Sequence, residues 1–439
     1  MILTKANTGF YGFLLVVAVY FYCLPSGRFT FFGFNSDLRI YDFVGLTYVF
    51  WCYITFPKKI FNLFKSRRSP AYYSGLLIIA LLVGVVISVI YNGLSFLPPT
   101  LIRFLRFIVY LHMLICALLF IDTPSKLRIV VKLFLFGVSI QACIGLLQYL
   151  GYIPNLWPEY WVQMYSADDD LVLFTGTLAP HHKHFSMIML AGVALILGKL
   201  SVSQSKMRRV YFVALIILYS LVPLLSGTKT YLFTFALLLI FYISQIGFKK
   251  SFYLLAVTGM VFFIMYSTFQ DMFFSDISSK LDSRLFKYFS QSGVDLNGVT
   301  TGRTRIYTAI FSTLLLRPYL LVTGTGFMNI KSFIPATGAH NLYLQYLMEL
   351  GIWGLSIYLL YLNSFWRFYN QVKTNKSNFG GDYVLGGKLV LCVIIVSGLT
   401  GEVLYAQYSM MTLPGHLVIL LSIGLIPRNI MISGQKRRL

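Results

Sequence analysis

One histidine and the basic residues near it have the chemical types and the placement that group transfer requires. His340 directly precedes a long apolar run and follows a polar interval that contains Arg303 and Arg305. An imidazole exchanges a proton near neutral pH, so His340 is a candidate general base. Read by itself, His340 has one alternative, a structural histidine that bonds the backbone at the beginning of a helix.

Further basic residues lie at the ends of apolar runs. Arg103 and Arg106 are three residues apart, which places them on one face of a helix, and Lys229 stands between two threonines. Such residues either extend to lipid headgroups or face a polar cavity. Arginine forks bind phosphate oxygens well. We therefore predict that these three residues, together with Arg303 and Arg305, hold a diphosphate.

Three further polar residues are candidates for orienting His340. Asn341 is expected to cap the helix that follows it. Glu349 and Glu402 are acids inside apolar runs, where each can pair with an arginine or orient the histidine.

A second histidine cluster gives only a weak metal signal. His181, His182 and His184 lie in one loop without an acid at ligand spacing. We predict no metal site and no cofactor, and the role of these histidines stays open.

The elements that position these residues are predicted to be membrane helices. Hydrophobic residues make up 57% of the chain and charged residues 11%, with a mean hydropathy of +0.74, whereas soluble domains carry about 25% charged residues. The sequence therefore predicts an all-α polytopic membrane protein with about 12 transmembrane helices and a large outer-face loop. Their predicted centres are near residues 17, 48, 82, 110, 140, 192, 217, 237, 259, 352, 397 and 420.

The net charge of +22 does not indicate nucleic acid, because most basic residues lie in short loops beside apolar runs. That placement indicates membrane lipids as partners and sets the orientation. Loops 58–71 and 199–209 are rich in Lys and Arg, as is the C-terminus, whereas 93–99 has none. The positive-inside rule then predicts that both termini are cytoplasmic.

Three segments are predicted on this basis. Residues 1–267 form an N-terminal transmembrane bundle of about nine spans. Residues 268–341 form a large periplasmic loop with short helices, of which 308–316 is an amphipathic or re-entrant helix ended by Arg317 and Pro318. Residues 342–439 form about three further spans and a basic cytoplasmic tail.

A set of short motifs resembles a known superfamily. The Gly-Arg pair at 302–303, an Arg-Pro after an apolar segment, the Gly-Thr-Gly turn at 324–326 and the stretch HNLYLQYLMELGIWG from His340 follow one another. This order resembles the shared region of the O-antigen ligases and O-antigen polymerases. Lys229 stands where ligases commonly have an arginine, which is a departure from their pattern.

The resemblance implies a metal-independent membrane glycosyltransferase of the GT-C type in the bacterial inner membrane, with its active site in the periplasm. It implies an undecaprenyl-diphosphate-linked glycan as donor and a lipid-linked repeat unit or lipid A–core as acceptor. His340 matches the proposed base of the family, and Arg303 matches its loop arginine. A chain-length regulator protein is a further partner that the resemblance implies.

Three functions stay open at this point. The leading hypothesis is an O-antigen or surface polysaccharide polymerase, favoured by the departure at Lys229 and by the 39 Phe and 31 Tyr. The second is an O-antigen ligase. A lipid-linked oligosaccharide flippase is a third, disfavoured because its charges would cross the membrane midplane on several spans.

Overall fold

The computed structural model describes most of the apolar part of the chain. The described residues are 5–22, 29–31, 34–36, 40–154, 156, 176–177, 182–225, 229–248, 259, 303–335, 338–371, 380–401 and 413–436. Residues 268–302 and 336–337 of the predicted periplasmic loop lie outside these ranges, as does Glu402.

Helices make up nearly all of the described residues. They are α1 Lys5–Tyr22, α2 Ile40–Thr55, α3 Pro57–Lys65, α4 Pro70–Asn92, α5 Leu97–Phe120, α6 Pro124–Tyr149, α7 His182–Val202, α8 Lys206–Leu225, α9 Lys229–Ile246, α10 Arg303–Leu316, α11 Leu320–Thr323, α12 Leu342–Asn370, α13 Gly381–Gly398 and α14 Leu413–Lys436. Short 3-10 turns occupy Leu94–Phe96 and Ile330–Ser332, and an antiparallel hairpin pairs β1 Phe29–Phe31 with β2 Phe34–Ser36.

The predicted all-α polytopic membrane fold is confirmed. Six helices in the described part of the chain are long and apolar enough to cross a membrane, and four shorter helices are also apolar. Eleven of the twelve predicted span centres fall inside a described helix, and the neighbours of residue 259 lie outside the described ranges. The total of twelve spans stays a prediction.

Two details of the structure differ from the sequence prediction. The span centred near residue 397 is α13, which ends at Gly398, because the apolar run begins earlier than the hydropathy reading placed it. The basic loop 58–71 contains the helix α3, whose apolar residue Ile60 is buried while its lysines face outward. A basic amphipathic segment of this kind forms a helix at a membrane surface rather than a plain loop.

Local capping fixes where several helices begin. Ser69 caps α4 by accepting the Tyr72 N–H, and Thr123 caps α6 by accepting the Lys126 N–H. A proline follows each cap, at the first helical position, where its missing N–H costs nothing. The predicted short helix at 308–316 is present as α10, and it ends where Arg317-Pro318 begins.

The long helix α12 is broken at Gly351, where φ is 67° and ψ is −170°. This break frees backbone carbonyls that a continuous helix would bond internally. The Gly-Thr-Gly turn supplies their partners: Thr325 N–H donates to the Met348 carbonyl at 2.7 Å, and Gly326 N–H donates to the Glu349 carbonyl at 3.0 Å. The turn and the helix break are therefore one structural unit.

The same turn is also bonded to α4. Phe327 N–H donates to the Gly84 carbonyl at 2.8 Å, and the Ser88 hydroxyl donates to the Phe327 carbonyl at 2.5 Å. A Cβ atom on Gly326 would lie 2.4 Å from the backbone nitrogen of Ser88. Only glycine allows the turn to approach α4 so closely.

Two buried apolar clusters meet at the first turns of α12. Tyr346 and Leu350 belong to the main core of the bundle, whereas Met348 belongs to a smaller cluster. The smaller cluster also contains Ile310 of α10 and Ala339, the residue before His340. The loop that carries His340 is thus held between α10 and α12.

We expect Gly351→Ala to destabilise the protein more than Gly93→Ala does. Both glycines have nearly the same backbone conformation, since Gly93 has φ 80° and ψ 173°, so the strain of about 1–3 kcal/mol is common to both variants. A Cβ atom at Gly351 would lie 2.3 Å from the Val322 carbonyl oxygen, whereas one at Gly93 would meet nothing within 4 Å. Thermal unfolding midpoints in detergent measure the difference, and equal midpoints would contradict the close packing at the break.

Candidate functional site

Glu349 is the buried acid at the centre of the site. Its side chain is fully buried, and its two oxygens have different partners. One oxygen accepts the Met328 N–H at 2.7 Å, and the other accepts the side-chain amide of Gln345 at 2.5 Å. A buried carboxylate needs such donors, because removal from water without hydrogen bonds is costly. Glu349 therefore joins the loop after the Gly-Thr-Gly turn to α12.

Gln345 extends this network to the histidine loop. Its side-chain oxygen accepts the Ala339 N–H at 2.7 Å, and its side chain is fully buried. His340 comes next in the chain and has a left-handed backbone with φ of 50°. This conformation is uncommon outside glycine and is retained where the surroundings enforce it. Glu349 is thus linked by hydrogen bonds, through Gln345, to the backbone of Ala339, the residue before His340.

Asn341 fixes the other side of the histidine. Its side-chain oxygen accepts the Tyr343 and Leu344 N–H groups at 3.0 and 3.1 Å, which confirms the predicted cap of α12. Its amide group donates to the Leu399 carbonyl at the end of α13. His340 is half-buried between two residues whose positions are both set by hydrogen bonds.

Arg103 lies beside the same loop. Its Nη1 is 3.7 Å from the sulfur of Met328, whose N–H is bound by Glu349. Arg103 is half-buried, at the beginning of α5. Arg103 and the residue before His340 are therefore both connected to Glu349, the first through Met328 and the second through Gln345.

Arg106 has a different partner from Arg103. Its Nε and Nη2 atoms donate to the two carboxylate oxygens of Asp42 in α2 at 2.8 and 2.6 Å, and its side chain is 2% exposed. Two neighbouring arginines on one helix face thus have separate environments. A direct contact between Arg106 and a diphosphate would require this bidentate ion pair to open.

Arg303 and Arg305 lie in the first turn of α10, one half-buried and the other exposed. Arg305 lines a cavity of about 190 Å³ with Ile306, Ala309 and Pro335. Ile310, further along α10, belongs to the same buried cluster as Ala339, so both arginines stand at the end of the bundle that carries His340.

Lys229 is the first residue of α9. Thr234, in the next turn, lies 3.5 Å from the hydroxyl of Ser397, near the end of α13 that Asn341 also contacts. The beginning of α9 is therefore at the same end of the bundle as the His340 loop.

His184 is buried near the beginning of α7, while His181 and Glu402 lie outside the described residues.

Two residues that take part in these contacts, Gln345 and Asp42, were not predicted, although the sequence contains a sign of each. Gln345 precedes Glu349 by four residues, which places the two side chains on one helix face. Asp42 stands alone as an acid at the beginning of an apolar run, where an unpaired charge is costly. Met328 carries no such signal, because only its backbone and sulfur take part.

Together these contacts link Arg103, the buried Glu349 and the residue before the half-buried His340 on a bundle of membrane helices. Residues 212–359, about a third of the chain, match the family model described as O-Antigen ligase. This match confirms the resemblance to the superfamily of O-antigen polymerases and ligases. No curated protein matches the chain.

The matched segment contains α9, α10, the Gly-Thr-Gly turn and the broken part of α12. It therefore includes His340, Glu349, Arg303 and Arg305, whereas Arg103 and Asp42 lie before it. The superfamily is associated with membrane glycosyltransferases of lipopolysaccharide biosynthesis.

We expect Arg106→Met to destabilise the protein by about 3–5 kcal/mol, because it leaves Asp42 charged and without its arginine in an apolar environment. The double variant Asp42→Asn/Arg106→Met removes both charges and should recover most of this loss. Unfolding midpoints in detergent measure both effects. A single variant as stable as the unmodified protein would contradict a structural ion pair.

Proposed function

We propose that the protein is a surface polysaccharide polymerase, which joins lipid-diphosphate-linked repeat units at the periplasmic face of the bacterial inner membrane. One observation carries this proposal: Glu349 links the residue before His340, through Gln345, to Met328, whose sulfur is contacted by Arg103 of α5. A base and a cation held in a common frame are what glycosyl transfer from a lipid diphosphate requires.

The reaction requires a base that removes a proton from the acceptor and cations that stabilise the leaving diphosphate. A hydroxyl of the acceptor sugar attacks the anomeric carbon of the donor, and its proton goes to the imidazole of His340. The new glycosidic bond forms as the bond from the anomeric carbon to the diphosphate oxygen breaks. The lipid diphosphate leaves with the electron pair, and its negative charge is stabilised by nearby cations.

The cations divide into two groups under this proposal. Arg103, Arg303, Arg305 and Lys229 bind the diphosphate, since each stands at the end of the bundle where His340 lies. Arg106 positions α5 against α2 through Asp42, so that Arg103 on the next turn reaches Met328. An arginine already bonded by both carboxylate oxygens is poorly suited to bind a second anion.

Ligation is the second candidate, and the family description favours it directly. A ligase would use the same donor and the same residues but would transfer the glycan to lipid A–core. The chemistry at His340 is identical in both cases, so only the acceptor distinguishes them. Lys229 in place of the arginine common in ligases favours the polymerase. A flippase would make no use of a base beside the arginine.

The surface glycans of a strain that lacks this gene test the function. We expect a gel profile with core plus a single repeat unit, because ligation would continue while polymerisation would be lost. Bare core, with long glycan remaining on the lipid carrier, would instead identify a ligase. An unchanged ladder would contradict both forms of the proposal.

Expression of His340→Ala in the same strain tests the base. We expect glycan transfer to fall by about 10²–10⁴-fold, the usual contribution of a general base, at an expression level equal to that of the unmodified protein. Lys331→Ala is the matched control, because Lys331 is an exposed cation in the 3-10 turn Ile330–Ser332 of the same region. Full activity of His340→Ala would exclude His340 as the base.

A further inference from the structure

An apolar groove opens between α3, α4 and α5, and the proposed reaction makes no use of it. It consists of two adjoining cavities of about 490 and 410 Å³, which share Tyr53, Phe61 and Phe64 as lining residues. Gly75 and Ile79 of α4 complete the wall of the larger cavity. Volumes of this size accommodate a small organic ligand or part of a lipid.

The groove lies at the end of the bundle away from His340. On α4, the groove lining extends from Tyr72 to Ile79, whereas the Gly84 carbonyl and the Ser88 hydroxyl bond the segment after the Gly-Thr-Gly turn. Gly75 and Ser88 are about 20 Å apart along the helix, and Ile79 and Gly84 are about 8 Å apart. A ligand in the groove therefore occupies a different part of the molecule from the proposed donor site.

Two polar side chains that line the groove, Tyr53 and His112, are bonded to each other. The Nε2 of His112 is 2.5 Å from the Tyr53 hydroxyl, and its Nδ1 is 2.7 Å from the Ile108 carbonyl oxygen. The remaining lining is almost entirely aromatic and aliphatic. The interior thus offers apolar contact rather than recognition of a polar solute, and it suits a hydrocarbon chain.

Positive charge surrounds the mouth of the groove. Lys58 lines the smaller cavity, and the Lys65 ammonium lies 4.7 Å from the centre of the Phe61 ring. Arg67 and Arg68 follow α3 and are exposed. Residues 43–121 contain no Asp or Glu, so no acid of this segment neutralises these cations.

We propose that this groove binds an anionic phospholipid, with an acyl chain along Phe61, Phe64 and Ile79 and the phosphate at Lys58 and Lys65. The apolar interior accounts for the chain, and the cations account for the negative headgroup. The attraction of each lysine for an anionic headgroup near a membrane surface corresponds to about five-fold in affinity.

Titration of the purified full-length protein in detergent with phosphatidylglycerol or phosphatidylcholine of identical acyl chains, followed by native mass spectrometry, tests the proposal. We expect phosphatidylglycerol to bind the unmodified protein more tightly. Lys58→Gln/Lys65→Gln should remove most of this preference, with Lys206→Gln as control, since Lys206 is exposed at the beginning of α8, outside the groove. Equal binding of the two lipids would overturn the headgroup assignment.

A second variant separates binding in the groove from attraction to the surface. Ile79→Trp fills the groove, because Ile79 is 59% exposed and lines it, and should weaken binding of both lipids. Val86→Trp is the control, seven residues further along the same face of α4 and outside the lining. If Ile79→Trp bound phosphatidylglycerol as well as Val86→Trp does, the groove would not be the site. Stronger competition by a polyprenyl phosphate than by phosphatidylglycerol would also overturn the proposal.

Discussion

The hydrogen bonds between the Gly-Thr-Gly turn and the broken helix α12 are the constraint on which the site depends. A helix break inside a membrane protein leaves carbonyls that lipid cannot bond. Here the N–H groups of Thr325 and Gly326 bond them, and the turn is bonded in its next residue to α4. This docking brings Met328 within reach of Glu349 and, through Gln345, fixes the residue before His340. The same contacts therefore bond the free carbonyls of the broken helix and position the residues around His340.

The basic residues of the described helices have different surroundings at the two ends of the bundle. Near His340 the cations stand beside a buried acid and a histidine, and one arginine is neutralised by Asp42. At the other end Lys58, Lys65 and their neighbours face outward beside an apolar groove. The first arrangement suits charge that changes during a reaction, whereas the second suits the constant charge of a membrane surface. The same residue types thus serve different purposes according to what surrounds them.

The helices were largely predictable from the sequence, because a continuous apolar run is a strong local signal. The cap at Asn341 and the end of α10 were predictable for the same reason, since capping and proline act within a few residues. The ion pair of Arg106 with Asp42 was not, because it joins residues 64 positions apart. The helix break at Gly351 was also not predictable. A glycine in an apolar run does not indicate that a turn elsewhere in the chain, here Gly-Thr-Gly, will bond the carbonyls that precede it. The acceptor was not predictable, since a polymerase and a ligase would use the same residues around His340.

The bond between Ser88 and Phe327 joins residues that are 239 positions apart in the chain. Contacts of such long range form late, because the loop between them must first be synthesised and closed. The carbonyls that the turn bonds belong to Met348 and Glu349, so residues beyond 350 must also be in place before the turn can dock. During most of its own synthesis and membrane insertion, the protein consequently lacks the network that holds His340. The network beside His340 is completed only when the last third of the chain has folded onto helices inserted long before.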